Sequence, residues 1–325
     1  MNKIRAGVIG VGYLGAIHAQ KYAALAATGA VEFIGVFDAD QARAREIASA
    51  NNAMRFASVD ALLSCVDAVS IATPTAHHFT LGMRAIEAGK DVLVEKPITT
   101  TALEAKELVK AAEKANTILQ VGHLERFNAA VVALEGVPYK PVFIQAQRLS
   151  PFPNRSTDVD VVLDLMIHDI DIILNLVKSE IESIDAVGTP VVSDKVDVAN
   201  ARIRFVNGCV ADVTASRVSS ERVRRIQLFE SSGYITIDYA AQHIFIARPA
   251  MGASQASPAI EVEQLDIEKR DSLLEEIRSF IGCCARRTPP LVSGVDGLRA
   301  LEAAETIQNS MARNAERVES QGVRR

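Results

Sequence analysis

Ala6-Gly7-Val8-Ile9-Gly10-Val11-Gly12-Tyr13-Leu14-Gly15 runs from four small or apolar residues into three glycines spaced GxGxxG. It reads as a buried strand, a tight turn and the first turn of a helix. In that setting Gly10 makes the turn, Gly12 admits a pyrophosphate against the backbone, and Gly15 lets helix approach strand, with Tyr13 and Leu14 completing the loop. Asp38 follows the next apolar run, residues 31–37, roughly 20 residues beyond Gly15, where a carboxylate accepts from both hydroxyls of an adenine ribose. Its charge repels a 2′-phosphate, so NAD is expected over NADP. Arg43 and Arg45, expected on the following helix, weaken that preference without reversing it. A plain glycine-rich turn followed by an exposed acid is the alternative.

Outward from this stretch, apolar runs at 6–9, 31–37, 68–72, 91–94 and 117–121 alternate with Ala-rich segments of helical spacing at 15–26, 41–50, 76–88 and 102–115. Repeated strand and helix predict an α/β doubly wound parallel sheet, a Rossmann domain spanning 1–122. Beyond Arg126 the texture changes. A Pro-, Ser- and Asn-containing stretch at 150–157 leads to a helix at 159–177. Strand-like runs follow at 184–187, 198–205, 210–215, 225–229, 234–237 and 244–247, then helices at 270–284 and 295–311, and a charged tail from Arg313 expected to fray. The second domain, 123–325, is expected to be α+β with a large open, mostly antiparallel sheet.

The chain has 325 residues, 49% of them hydrophobic and 23% charged, with a formal net charge of −5. That balance opposes a broad phosphate-backbone footprint, so nucleic acid is not an expected partner. No segment approaches the roughly 20 apolar residues of a membrane span, and no leader pattern stands at the N-terminus; a cytoplasmic location is expected. Cys65, Cys209, Cys283 and Cys284 have the spacing of neither a zinc site nor a disulfide framework.

Thr73 and Pro74 follow one strand, and Glu95, Lys96 and Pro97 follow the next, at the carboxyl ends where open α/β sheets bind ligands. A lysine there can donate to a substrate hydroxyl and share in proton relay, although a solvated lysine paired with Glu95 is the plainer reading. Asp164, His168 and Asp171 fall at i, i+4 and i+7 of the helix 159–177, which puts them on one face. A histidine flanked by acids takes a proton at neutral pH, and Asp164 can orient the imidazole or the substrate. A solvated acidic stripe is the alternative. No metal is expected, because no further histidine or cysteine nearby completes a zinc ligand set.

Taken together, GxGxxG, Thr73-Pro74 with His78, the run from Ala88 to Pro97 ending in EKP, and DxxxHxxD from Asp164 to Asp171 resemble the Gfo/Idh/MocA oxidoreductase family over nearly the whole chain. The resemblance implies hydride exchange between a nicotinamide dinucleotide and a sugar or polyol carbon, with Lys96, Asp164 and His168 catalytic. It also implies a cis bond between Lys96 and Pro97, and a homodimer or homotetramer built through the second domain's sheet. Gly10, Gly12, Tyr13, Leu14, Gly15, Asp38, Thr73, Pro74, His78, Glu95 and Lys96 are the expected cofactor residues.

Gly122-His123-Leu124-Glu125-Arg126-Phe127-Asn128 and the helix around Asp164 narrow the resemblance to the family's nucleotide-sugar 3-dehydrogenases, which implies UDP-N-acetylglucosamine or a related nucleotide sugar as substrate. Glu125, Arg126, Asn128, Arg148, Arg155 and Arg217, with Lys96, Asp164 and His168, are the expected substrate residues, since a diphosphate suits guanidinium forks. Ordinary surface arginines are the alternative. A free-sugar or inositol dehydrogenase is the rival enzyme, and a non-catalytic NAD(H) sensor the rival from another class.

Overall fold

The computed structural model describes residues 3–152, 159–251 and 259–320. The chain divides into two compact units, Met1–Phe127 with Asp271–Leu298, and Asn128–Arg270 with Arg299–Arg325.

The first unit alternates strand and helix: β1 (Arg5–Ile9), α1 (Tyr13–Ala27), β2 (Glu32–Phe37), α2 (Gln41–Ala50), β3 (Met54–Arg55), α3 (Val59–Leu63), β4 (Ala68–Ile71), α4 (His78–Glu87), β5 (Asp91–Glu95), α5 (Ala102–Ala115) and β6 (Leu119–Gly122). Its strands form one parallel sheet in the order β3-β2-β1-β4-β5-β6. The order reverses between β1 and β4, so the carboxyl ends of these two strands flank the crevice where such sheets bind ligands. β4 and β5 are buried along their whole length, which explains their unbroken apolar texture. Helix starts follow local chemistry: the Asp40 carboxylate accepts from Ala42 N and Arg43 N, and Thr101 with Glu104 closes a capping box on α5. The sequence pattern missed β3 and α3, each five residues or shorter.

The second unit opens with α6 (Ala129–Leu134) and β7 (Phe143–Leu149). A π-helical turn, Val162–Met166, leads directly into α7 (Ile167–Val177). Then come β8 (Ile181–Thr189), β9 (Val198–Phe205), β10 (Val210–Ser216), β11 (Val223–Glu230), β12 (Gly233–Asp238), β13 (His243–Pro249) and β14 (Ile260–Leu265). The sheet has eight strands in the order β14-β13-β12-β11-β7-β10-β9-β8, antiparallel except for β7 against β10. One face is apolar, with Ile144, Ala146, Ala201, Ile203, Val213 and Ile226 in one core cluster with the apolar residues of α7. The other carries cross-strand polar pairs such as Arg202 with Asp212 and Asn200 with Thr214. The sequence reading omitted β7, because Gln145, Gln147 and Arg148 disguise a central strand, and β14, an exposed edge.

Two helices close the chain, α8 (Ser272–Arg286) and α9 (Gly294–Ser320). The expected boundary at 122 moves to 127, and the expected continuous second domain is interrupted. Residues 271–298 return to the first unit because α8 presents Leu273, Ile277, Phe280 and Ile281 to the core that α1 lines. Lys21 of α1 pairs with Asp271, the residue that caps α8, at 2.6 Å. The tail from Arg313 does not fray at that point. α9 runs on to Ser320, tied down where Asn314 donates to Ala186 O at 2.8 Å.

Phe280 is fully buried in the first unit's core. Phe280→Ala should destabilise that unit by about 3–5 kcal/mol, the usual cost of emptying a buried phenylalanine site. Urea unfolding would read this as a lower midpoint at unchanged slope, and an unchanged midpoint would show that α8 is not part of this core.

Candidate functional site

In the first unit the glycine-rich turn has the geometry a dinucleotide needs. Gly10 sits at φ +84°, a conformation that side chains disfavour. A Cβ on Gly15 would lie 1.8 Å from Gly10 O, so only glycine lets α1 start here. Around Gly12 nothing lies within 4 Å of the position a Cβ would take, and this residue gives α1 no side-chain cap. The open cradle and uncapped first turn fit a pyrophosphate held by backbone N–H groups. Tyr13 is exposed and Leu14 half-buried beside it.

Asp38 directly follows β2, where it was expected. Its Oδ2 accepts from Val11 N at 2.7 Å and its Oδ1 from Asp40 N at 2.9 Å, which ties the acid to the glycine-rich turn. Arg43 does lie on α2, where its Nε donates to Val11 O at 3.1 Å and its guanidinium pairs with Glu46. Thr73 Oγ1 is buried without a hydrogen-bond partner, a polar atom at a strand end that a bound ligand could satisfy. Pro74 begins the short turn that leads to α4.

The peptide bond between Lys96 and Pro97 is cis, as the resemblance implies. Lys96 is half-buried. Glu95, just before it, is buried and is not paired with that lysine's ammonium in the plain manner considered above: its Oε1 meets His18 Nε2 from α1 at 2.9 Å. Its other oxygen accepts from Lys96 N at 3.3 Å. Gly122 makes room for this carboxyl, since a Cβ there would come within 2.8 Å of it. His78 Nδ1 lies 2.8 Å from Pro97 O and Nε2 2.9 Å from Thr73 O, and the neutral ring donates to one of these carbonyls according to its tautomer. His78, buried, therefore lies between the two strand-end loops that carry Thr73 and Pro97. Burial lowers its pKa, against the pull of those two carbonyls.

Glu125 and Arg126 lie on a buried 3₁₀ turn, Leu124–Phe127, where Arg126 Nη2 donates to Leu291 O at 3.3 Å. His123, just before it, was named in the motif but given no role by sequence. It is 1% exposed, and neither ring nitrogen has a hydrogen-bond partner.

The second unit holds the other expected residues. Asp164 lies in the π turn and His168 on α7; both are half-buried, whereas Asp171 is buried. Asp164 thus sits in an i→i+5 turn and not in the regular α-helix that the sequence pattern assumed. Asn128 caps α6, its Oδ1 accepting from Ala130 N, and its Nδ2 donates to Tyr239 O at 3.0 Å.

Arg148 and Arg217 are not the solvent-facing forks a diphosphate would meet. Arg148, 3% exposed, grips the fully buried Asp169 at 2.9 and 3.0 Å. Arg217, fully buried, donates to Asp197 at 2.8 Å and to Val159 O at 2.8 Å. Burial alone would raise the Asp197 pKa, but the Ser193 hydroxyl and the N–H groups of residues 191–193 hold it well below the usual carboxylate range. Arg155 lies outside the described residues. Asp169 and Asp197 were missed because the pattern gave no partner for a polar residue in an apolar run; the only signal was an aspartate where periodicity demands a hydrophobe.

Among the described residues no group of three side chains is placed to hold a metal, and no helix is long and apolar enough to cross a membrane. All four cysteines are free thiols, with Cys284 pushed to higher pKa by burial and by Asp91.

The sequence pattern of the oxidoreductase family with an NAD-binding Rossmann fold matches residues 4–123, and that of the GFO/IDH/MocA C-terminal domain matches residues 140–236. The chain belongs to the Gfo/Idh/MocA oxidoreductase family. UDP-N-acetylglucosamine 3-dehydrogenase of Acidithiobacillus ferrooxidans is 41% identical over 94% of this chain and 96% of its own length. A solved structure of that dehydrogenase superposes with a TM-score of 0.90, at 40% identity, covering 95% of this chain and 98% of the other. Myo-inositol 2-dehydrogenase of Thermotoga maritima is 28% identical over 92% of this chain and 93% of its own. The fold and family expected from sequence are thus borne out, and the chain is a dehydrogenase that uses a nicotinamide cofactor.

Burial, then the charges of Lys96 and Arg126, pull the His123 pKa down to about 3. In the unfolded chain a histidine titrates near about 6.5. Between those values the unfolded state binds a proton that the folded state does not, so this residue's contribution is full above about pH 6.5 and is lost as the pH falls toward 3. His123→Leu should flatten the decline of Tm between neutral and acid pH and leave Tm at pH 7 equal or higher, since no buried nitrogen is left unpaired. Calorimetry at a series of pH values tests this; identical slopes for both proteins would reject it.

Proposed function

We propose that this dehydrogenase oxidises the 3-hydroxyl of UDP-N-acetylglucosamine or a closely related nucleotide sugar, with NAD as its cofactor. The observation that carries the chemistry is that Lys96, Asp164 and His168, three polar groups suited to a secondary alcohol, are all half-buried, Lys96 and His168 between buried chain neighbours. The full-length likeness to the Acidithiobacillus ferrooxidans enzyme supports the substrate.

The turn from Gly10 to Gly15, with Asp38, Thr73 and Pro74, would hold the dinucleotide. When bound, NAD supplies the acceptor for a hydride from the sugar carbon. Lys96 donates a hydrogen bond to the hydroxyl oxygen and favours its alkoxide character. His168 takes the hydroxyl proton as general base, and Asp164 orients the imidazole and the sugar. Glu95 bonded to His18, and His78 bonded to Pro97 O, keep the backbone on both sides of Lys96 in place. Self-association as a homodimer or homotetramer through the polar face of the large sheet completes the reading, and sedimentation equilibrium tests it. Cytoplasmic action fits the four free thiols.

A panel of UDP-N-acetylglucosamine, UDP-glucose, free sugars and myo-inositol, followed by NADH absorbance, should show turnover of the UDP-amino sugar first. Oxidation of myo-inositol alone would favour the rival reading that the Thermotoga maritima relative supports. His168→Ala and Lys96→Met should each lower kcat by about two to four orders of magnitude while NAD binding persists. Asp38→Ala should narrow the preference for NAD over NADP by removing both the ribose hydrogen bonds and the repulsion. NADP binding as tightly as NAD to the unaltered protein would overturn the assignment to NAD, with Arg43 then the residue to examine.

A further inference from the structure

β7 alternates strictly between buried and half-buried positions, and its buried series runs Ile144, Ala146, Arg148. A guanidinium thus stands where the strand's own period calls for an aliphatic side chain. α7 shows the same anomaly. It buries Ile167, Ile170 and Ile173, and among them Asp169, fully buried. The two exceptions meet. Arg148 Nε donates to Asp169 Oδ2 at 2.9 Å and Nη2 to Oδ1 at 3.0 Å, a two-pronged pair. Behind it the guanidinium carbon lies 5.2 Å from the ring centroid of Tyr239, whose carbonyl accepts from Asn128.

Such a pair adds little stability relative to well-packed apolar residues, because desolvating two charges offsets most of their attraction. What it does supply is direction. A fork-to-fork contact is satisfied at one rotation of a helix about its axis, whereas packed aliphatic side chains tolerate several. The place where direction matters is adjacent. Asp169 follows His168, and the π turn Val162–Met166 ends just before α7 begins. Asp164 lies in the wider turn and His168 at the start of α7, so their relative orientation depends on how the π turn joins α7 as well as on the period of α7 itself.

We propose that Arg148 is a positioning residue for the reaction: through Asp169 it sets the rotation of α7 that presents His168 alongside Asp164, with Tyr239 and Asn128 backing the guanidinium. This rests on the reading of His168 as the base. It also gives Asn128 and Arg148 a role that needs no contact with substrate.

The test compares Arg148→Lys, which keeps the charge and loses the fork, with the double variant Arg148→Met/Asp169→Leu, which removes both charges together. The double variant should keep a Tm near that of the unaltered protein. With UDP-N-acetylglucosamine and NAD its kcat should fall about 10- to 100-fold at nearly unchanged KM, a loss of transition-state alignment and not of binding. Deuterium at the sugar carbon should slow it more than it slows the unaltered enzyme. Arg148→Lys should fall in between. NAD binding measured by titration should be unchanged in both.

A double variant that is folded and retains full kcat overturns the proposal. If the double variant does not fold, Arg148→Lys decides: full kcat with a lowered Tm means the pair is structural only. His168→Ala separates this from failure of the base assignment. Full turnover in that variant overturns the assignment and the proposal together, whereas an inactive His168→Ala beside a fully active pair variant overturns the proposal alone.

Discussion

The contact on which the first unit depends is the approach of α1 to the glycine-rich turn, where a Cβ at Gly15 would lie 1.8 Å from Gly10 O. That absence of a side chain sets how closely α1 lies on the sheet, and with it much else. On the same helix His18 reaches Glu95 at the end of β5, and Tyr22 bonds the Ser70 hydroxyl on β4 at 2.8 Å. Glu95 precedes Lys96. One missing methyl group at the phosphate turn thus governs, through α1, the backbone that carries the lysine.

Buried polar pairs are used in both units with the same logic. Glu95 with His18, Arg148 with Asp169, and Arg217 with Asp197 are each nearly closed to solvent. None is needed to strengthen a core that already contains runs of Ile, Val and Ala, and each leaves a heavy penalty if one partner is removed. Their shared property is that they join parts of the fold that sequence separates: α1 to the end of β5, β7 to α7, and the residue after β10 to the loop that follows β8. Directional contacts at those points hold loop and helix geometry that apolar packing leaves loosely specified.

The arginines show how composition misleads about chemistry. Four arginines near the expected cleft suggested a diphosphate grip. Arg148 and Arg217 instead bond a buried aspartate, and a buried aspartate with a carbonyl. A guanidinium has five donors and a planar fork, so it serves equally as an anion receptor on a surface or as a rivet in an interior. Which of the two it becomes depends on partners that lie far away in the chain.

By itself the sequence determined the parallel sheet, the phosphate turn, the acid at the end of β2, the lysine after β5, and the presence of an acid and a histidine at the start of α7. Each of these rests on local spacing, either glycine positions in a turn or the period of buried residues, and local spacing is legible in one dimension. Only the tertiary structure decided that α8 returns to the first core, that β7 lies in the middle of the second sheet, that Asp164 sits in a π turn just before the helix of His168, and that two expected substrate arginines are interior ion pairs. Those outcomes turn on which distant residues meet: Arg148 and Asp169 are 21 positions apart, and Gln120 bonds Glu276 O across 156. A hydrophobic period says that a position is buried, but not what a charge finds there.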